Sequence, residues 1–182
     1  MPAQATRWGW HRLDSRWAGR IVDRAQVGPG DLVLDIGAGD GALTGLLLAT
    51  GARVVAFELH PGRAAGLRRQ FAGQGLTVVQ ADAADLRLPR RPFKVVANPP
   101  FAITTALLRR LLHPSSRLQR ADLVLPHWAT MRWAAGRGVG GIPSRRAFRL
   151  EVGLRVPARA FQPPPPAATT VLVASRATGG AR

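Results

Sequence analysis

Apolar positions along the chain fall in short continuous runs separated by stretches of helical length. "DLVLDIG" (31–37) is such a run ending at glycine, and "GALTGLLLAT" (41–50) after it has helical length and propensity. "ARVVAFELH" (52–60) predicts the next strand, and "PGRAAGLRRQFAGQ" (61–74) a helix with proline near its start and Gly73 and Gly75 near its stop. Then follow the strands "LTVVQAD" (76–82) and "FKVVANPP" (93–100), the helical "ITTALLRRLLH" (103–113), and the strand "ADLVLP" (121–126). Late in the chain, "RLEVGLRVP" (149–157) and "TTVLVASR" (169–176) predict two antiparallel neighbours joined by the stiff, proline-rich "ARAFQPPPPAA". The glycine- and arginine-rich "AAGRGVGGIPSRRAFR" (134–149) reads as a mobile loop.

Near-continuous apolar strands alternating with helices indicate an α/β fold: a mostly parallel, twisted, Rossmann-like sheet with helices on both faces. The length of 182 residues suits one domain over 1–182, with 1–20 as an N-terminal basic arm and 177–182 as a disordered tail. In such sheets ligands bind at the carboxyl ends of the strands. Asp35 to Gly41, Glu58, Asp82 and Asn98 to Phe101 each close a predicted strand.

Composition narrows the class. No run approaches the roughly 20 apolar residues of a membrane span, and no apolar segment follows the basic N-terminus, so a cytoplasmic location is expected. The absence of cysteine and the scatter of four histidines leave no metal-ligand spacing, and no metal is expected. Without heptads or an apolar surface stripe, the expected state is a monomer.

Charge changes the picture more. The chain carries 26 Lys+Arg against 10 Asp+Glu, and Lys94 is its single lysine. Arginine makes planar bidentate contacts with phosphate and stacks on bases, which suits a nucleic-acid partner. Genomic base composition also favours arginine over lysine, but does not account for the excess over acids. That excess is uneven: residues 86–182 hold 17 basic side chains and two acids, whereas 31–85 hold four and six.

"DIGAGDGA" (35–42) is a glycine-rich strand-to-helix turn, in which Gly37, Gly39 and Ala42 fit the dinucleotide pattern with alanine last. A pyrophosphate there would meet Asp35 and Asp40, which repel it. S-adenosylmethionine, with a sulfonium and an ammonium, fits the turn better. Glu58 offers two acceptor oxygens to ribose hydroxyls, as an acid does in a nicotinamide-cofactor site too. Asp82 can accept from an adenine amine, and Leu59 and Ala83 follow these acids at the cofactor site. Each acid has a plainer reading as a helix cap or loop carboxylate.

"NPPF" (98–101) is a rigid stub, since neither proline donates to a ladder. If the Asn98 side-chain carbonyl and the Pro99 main-chain carbonyl each accept one N–H of an exocyclic amine, the nitrogen is drawn toward tetrahedral geometry. Phe101 can stack on the base, which must be flipped out or unpaired. Phe161 is either the second stacking face or a core residue anchoring the proline-rich segment. "NPPF" alone also reads as a simple turn.

"DIGAGDG", "FELH", "QADAADL", "VVANPPF" and "VPARAFQPPPPAATTVLV" together resemble the ribosomal RNA adenine N6-methyltransferases, comprising the Erm macrolide-resistance enzymes and the small-subunit dimethyladenosine transferases. The resemblance implies that Glu58 binds the cofactor ribose, Asp82 its adenine, and Gly37 and Gly39 its methionine portion. It also implies that Asn98 binds the target amine and that Phe101 and Phe161 hold the flipped base. The Erm branch is favoured, with S-adenosylmethionine as cofactor and 23S rRNA, naked or in a ribosome precursor, as partner. A small-subunit rRNA methyltransferase, a DNA or protein-glutamine methyltransferase, or a non-catalytic RNA-binding protein of the same fold are the rivals.

The chain departs from the family in three places. "GWHRL" (9–13) stands where the family has Gln-Asn-Phe-Leu, leaving Trp10 or His11 as partial substitutes in contacting the cofactor; "LPHWATMRWAAG" (125–136) lacks a Gln-Arg-Glu helix start; and the family's small C-terminal helical RNA-binding domain is expected to be absent. RNA affinity then falls to Arg109, Arg110, Arg132, Arg137, Arg145 and Arg146, and looser target selection is expected.

Overall fold

The computed structural model describes residues 11–137 and 147–177. The elements in chain order are β1 (Arg12–Leu13), α1 (Ser15–Val22), β2 (Leu32–Ile36), α2 (Thr44–Ala49), β3 (Arg53–Phe57), α3 (Pro61–Gln70), β4 (Leu76–Val79) and β5 (Phe93–Ala97). After them come α4 (Thr104–Leu111), β6 (Leu118–Pro126), α5 (His127–Ala134), β7 (Phe148–Val156), β8 (Phe161–Gln162) and β9 (Thr169–Arg176).

Seven strands form one sheet in the order β4-β3-β2-β5-β6-β9-β7. The first five are parallel, and β9 runs antiparallel to both β6 and β7. The predicted parallel sheet and the two antiparallel late strands are both present. Strand order reverses between β2 and β5, which opens a crevice beyond their carboxyl ends.

The runs of apolar residues are explained by burial on both faces. In β2, Leu32, Leu34 and Ile36 enter one core with Phe93, Val95, Leu107, Leu111 and Trp133, while Val33 enters the opposite core with Ile21, Leu47, Val96 and Val124. Helix α4 buries Thr104, Leu107, Leu108 and Leu111, the i, i+3, i+4, i+7 face, and turns Arg109 and Arg110 to solvent. Lys94, between the inward residues of β5, extends to Asp31 (2.8 Å) and thereby ties the start of β5 to the loop before β2.

Residues 15–20, counted with the basic arm on sequence grounds, are helical. Asp14 caps α1 by accepting from the Arg16 N–H at 2.9 Å, and Ala18, Ile21 and Val22 are buried. An N-cap aspartate followed by apolar residues at i, i+3 and i+4 was the available signal. The connection after β7 also differs from a plain spacer. Its Phe161 and Gln162 form β8, antiparallel to β1, and Asp14 N–H donates to Ala160 O at 2.8 Å. Residues 12–14 are thereby held against the proline-rich segment, beside the crevice.

Candidate active site

The turn after β2 begins at Gly37, whose φ of +77° is a conformation that L side chains rarely adopt. A Cβ there would lie 3.0 Å from Pro100 Cδ and 3.5 Å from Pro99 Cα, so the glycine lets the first turn and the "NPPF" stub pack against one another. The N–H groups of Gly37 and Ala38 donate to Phe57 O at 2.8 and 3.0 Å, which fixes the turn to the end of β3.

Glu58, just beyond β3, is buried and held by donors on both of its oxygens. Its Oε2 accepts from the Gly39 N–H (2.8 Å), and its Oε1 accepts from the His60 N–H (2.8 Å) and from Arg63 Nε (3.2 Å). Gly39 therefore serves the site by orienting a carboxylate. A carboxylate has about four acceptor positions, so the remaining capacity of Glu58 lies chiefly on Oε2. Arg63, on the first turn of α3, was not anticipated. A strand-end acid followed five residues later by a cation at a helix start was the signal.

A cavity of about 520 Å³ opens where these strands end. Gly37, Glu58, Leu59, Asp82, Ala83, Asn98, Pro99, Phe101 and His11 all line it, which brings together most of the residues that the sequence singled out. Phe57, Arg63, Ile103 and Pro166 also line it. Pro166 belongs to the proline run, which carries no sequence signal of a role in the site.

Asn98 donates from Nδ2 to the His11 carbonyl at 2.9 Å. That bond leaves Oδ1 as the acceptor end of the amide. The His11 ring stacks on Phe101, with centroids 5.8 Å apart and planes at 30°, so His11 braces both ends of the stub. The Pro100 carbonyl accepts from the Ile103 N–H (3.1 Å) and closes the turn into α4.

Asp35 lies on the other flank, lining a narrow extension of about 20 Å³ with Gly37, Asp40 and Asn98. Complete burial pushes its carboxyl up to about 7; a 2.6 Å hydrogen bond from Thr44 Oγ1 opposes the rise, and the nearby Glu58 charge adds to it. A buried acid this close to protonation gains from a cation beside it. Carboxylates at Glu58 and Asp82 in the cavity, and at Asp35 and Asp40 in the small pocket beside it, fit the ribose, adenine and ammonium of S-adenosylmethionine and oppose a pyrophosphate.

Phe161 stands elsewhere. Its side chain is buried in the core with Leu13, Ile21 and Val156, and it is absent from the lining of the 520 Å³ cavity. It pairs with Leu13 across β8 and β1 and lines a second cavity, of about 410 Å³, with Arg12, Asp14, Asp40 and Gln162. Among the basic residues, Arg109 and Arg110 are exposed on α4, and Arg132 donates to the Arg137 carbonyl at 2.7 Å at the end of α5. Arg145 and Arg146 lie outside the described residues.

This geometry agrees with similarities to known proteins. The chain is 40% identical over 172 residues to a ribosomal RNA small subunit methyltransferase A of Thermosynechococcus vestitus, covering 87% of this chain and 64% of that protein. It is 39% identical over 149 residues to the mycinamicin-resistance protein MyrB of Micromonospora griseorubida, covering 79% and 46%. The chain thus spans between about half and two thirds of the length of these relatives. In three dimensions it resembles the 23S rRNA methyltransferase ErmE, with a TM-score of 0.82 and 27% identity over 93% of this chain and 70% of that one. The model of the family described as ribosomal RNA adenine dimethylase matches residues 11–177, and the chain belongs to that family.

Proposed function

We propose that the protein is an S-adenosylmethionine-dependent enzyme that methylates N6 of an adenine in the peptidyl-transferase loop of 23S rRNA, conferring resistance to macrolides, lincosamides and streptogramin B. The observation that carries this reading is the placement of Asn98. Its amide is oriented by the His11 carbonyl, and it lines one cavity with Glu58 and Asp82. The cofactor, when bound, supplies an electrophilic methyl group.

The residues of the chain divide the remaining work. Glu58 Oε2 and Asp82 accept from the ribose and the adenine of the cofactor, and Asp35 faces its ammonium. Asn98 Oδ1 and the Pro99 carbonyl hold the two protons of the target amine, drawing its lone pair out of conjugation with the ring. Acceptors already in place for that geometry favour the transition state over the ground state. Phe101 replaces the stacking that a flipped or unpaired adenine gives up.

The likeness to MyrB and to ErmE supports 23S rRNA as the substrate. The likeness to the small-subunit enzyme supports 16S rRNA as the second reading. Incubation with methyl-labelled cofactor and deproteinised 23S or 16S rRNA separates the two. Label is expected in 23S rRNA, reduced roughly 10²- to 10³-fold by Asn98→Ala. Label confined to 16S rRNA establishes the second reading, and strong RNA binding without label overturns the enzymatic one. Primer extension on the labelled RNA then identifies which adenines are modified.

A further inference from the structure

A second concavity lies outside the catalytic cavity. It is an open groove of about 880 Å³ between residues 86–90, the outer face of α4 and the 113–117 turn that leads into β6. Arg87, Arg90, Arg109, Arg110 and Arg117 line it, all of them exposed, and no carboxylate is among its described lining residues. Arg110 donates to the Leu86 carbonyl and joins the two walls.

Two of the five arginines have an ordinary structural explanation. Arg109 and Arg110 occupy the last turn of α4, where a cation is favoured by the helix dipole. Arg87, Arg90 and Arg117 have none, since they sit on connecting segments where mutual repulsion is an energetic cost without a counter-charge. The groove also lies close to the site along the chain. Ala83 and Ile103 line the catalytic cavity, while Leu86 and Ala106, each three residues further along, line the groove. Three residues, about 4.5 Å of rise along α4, separate Ile103 from Ala106.

We infer that this groove is a binding track for the phosphodiester backbone flanking the target adenine, leading from the catalytic cavity down α4 to the end of the sheet where the strands begin. The inference rests on the reading of the substrate as RNA. The eight residues of α4 span about 12 Å, and successive phosphates of one strand lie roughly 3.4 Å apart along a duplex axis, so the track meets about three of them. Guanidinium forks on both walls contact phosphate oxygens bidentately and read no sequence.

The test compares Arg87→Ala with Arg117→Ala in one double variant, and Arg53→Ala with Arg69→Ala in a control that removes the same charge from exposed sites elsewhere. Affinity for a stem-loop RNA with an unpaired adenine in its loop is measured across a salt series. The groove variant is expected to bind roughly tenfold more weakly, with the slope of log affinity against log salt reduced by about 1.4 to 1.8, two contacts' worth. The control keeps the wild-type slope, and both keep the calorimetric affinity for S-adenosylmethionine.

Should loss of Arg117 disturb the adjoining start of β6, Arg87→Glu with Arg90→Glu repeats the test on the other wall, with a larger fall expected. Groove variants that match the control in slope and affinity overturn the proposal. So does a loss of binding to polyglutamate with RNA binding intact, which would assign the groove to an acidic protein surface. Because these measurements need no chemistry, a reduced slope supports the track even if no methyl transfer is found.

Discussion

The two halves of the sheet handle charge in opposite ways. Through β2, β3 and β4 the acids of the site cluster at strand ends, and two of them, Asp35 and Glu58, are buried and hydrogen-bonded to the chain around them, while Asp40 and Asp82 are exposed. From residue 86 onward most cations point outward on loops and on the outer face of α4, while what is buried is mostly apolar. Asp122 is the exception, buried but held by Arg120 at 2.7 Å, with burial raising its pKa and Arg120 opposing the rise. Preorganised carboxylates suit one small cationic ligand bound in a fixed pose. Exposed guanidiniums suit a long polyanion whose contacts are many and individually weak. The stub at Asn98 lies where the two halves meet.

This contrast can be attacked at three points. The largest effect is expected at Phe161, an apolar core residue of the basic half. Phe161→Ala should lower unfolding stability by about 3–5 kcal/mol in denaturant titration. Phe161→Leu, which refills most of the space, should keep methyl transfer near the wild-type level. Loss of activity in a well-folded Phe161→Leu protein would return this ring to the site.

Asp35 follows. In the folded protein its pKa is about 7, against an ordinary 3.8, so between those values the unfolded chain binds fewer protons and stability falls as pH rises. Asp35→Asn abolishes that loss. Near pH 8 the variant should be more stable than the wild type by on the order of 4 kcal/mol, the difference becoming small near pH 4. Parallel stability curves for the two proteins would mean that Asp35 is already ionised in the fold.

The smallest of the three is Glu58→Gln, which keeps the shape of the side chain and removes its charge. Calorimetry should show S-adenosylmethionine bound roughly 10- to 100-fold more weakly, the cost of charge-assisted acceptors lost. Unchanged affinity would indicate that Arg63 and the two backbone N–H groups already consume what Glu58 can offer.

How much of this was legible in the sequence follows from what each residue's neighbours are. Strands β2, β3, β5 and β6 are buried on both faces, so they read as unbroken apolar runs, and the turns that end them carry the acids and "NPPF" in plain view. The two-residue strands β1 and β8 are too short for any period, and helix α1 was masked by the arginines on its exposed face. Phe161 was ambiguous because an aromatic beside prolines looks the same whether it faces core or ligand; its partner Leu13 lies almost the whole chain away. The bond from Asn98 to the His11 carbonyl was equally hidden, since a main-chain acceptor leaves no mark in residue identity.

The close approach of Gly37 to the two prolines has a consequence for anyone redesigning this pocket. A Cβ at position 37 would lie 3.0 Å from Pro100, so a side chain there calls for a compensating change at 100. A library that diversifies residue 37 alone will mostly return proteins whose first turn no longer fits. Useful variants should emerge in pairs, with substitutions at 37 and 100 showing strong epistasis.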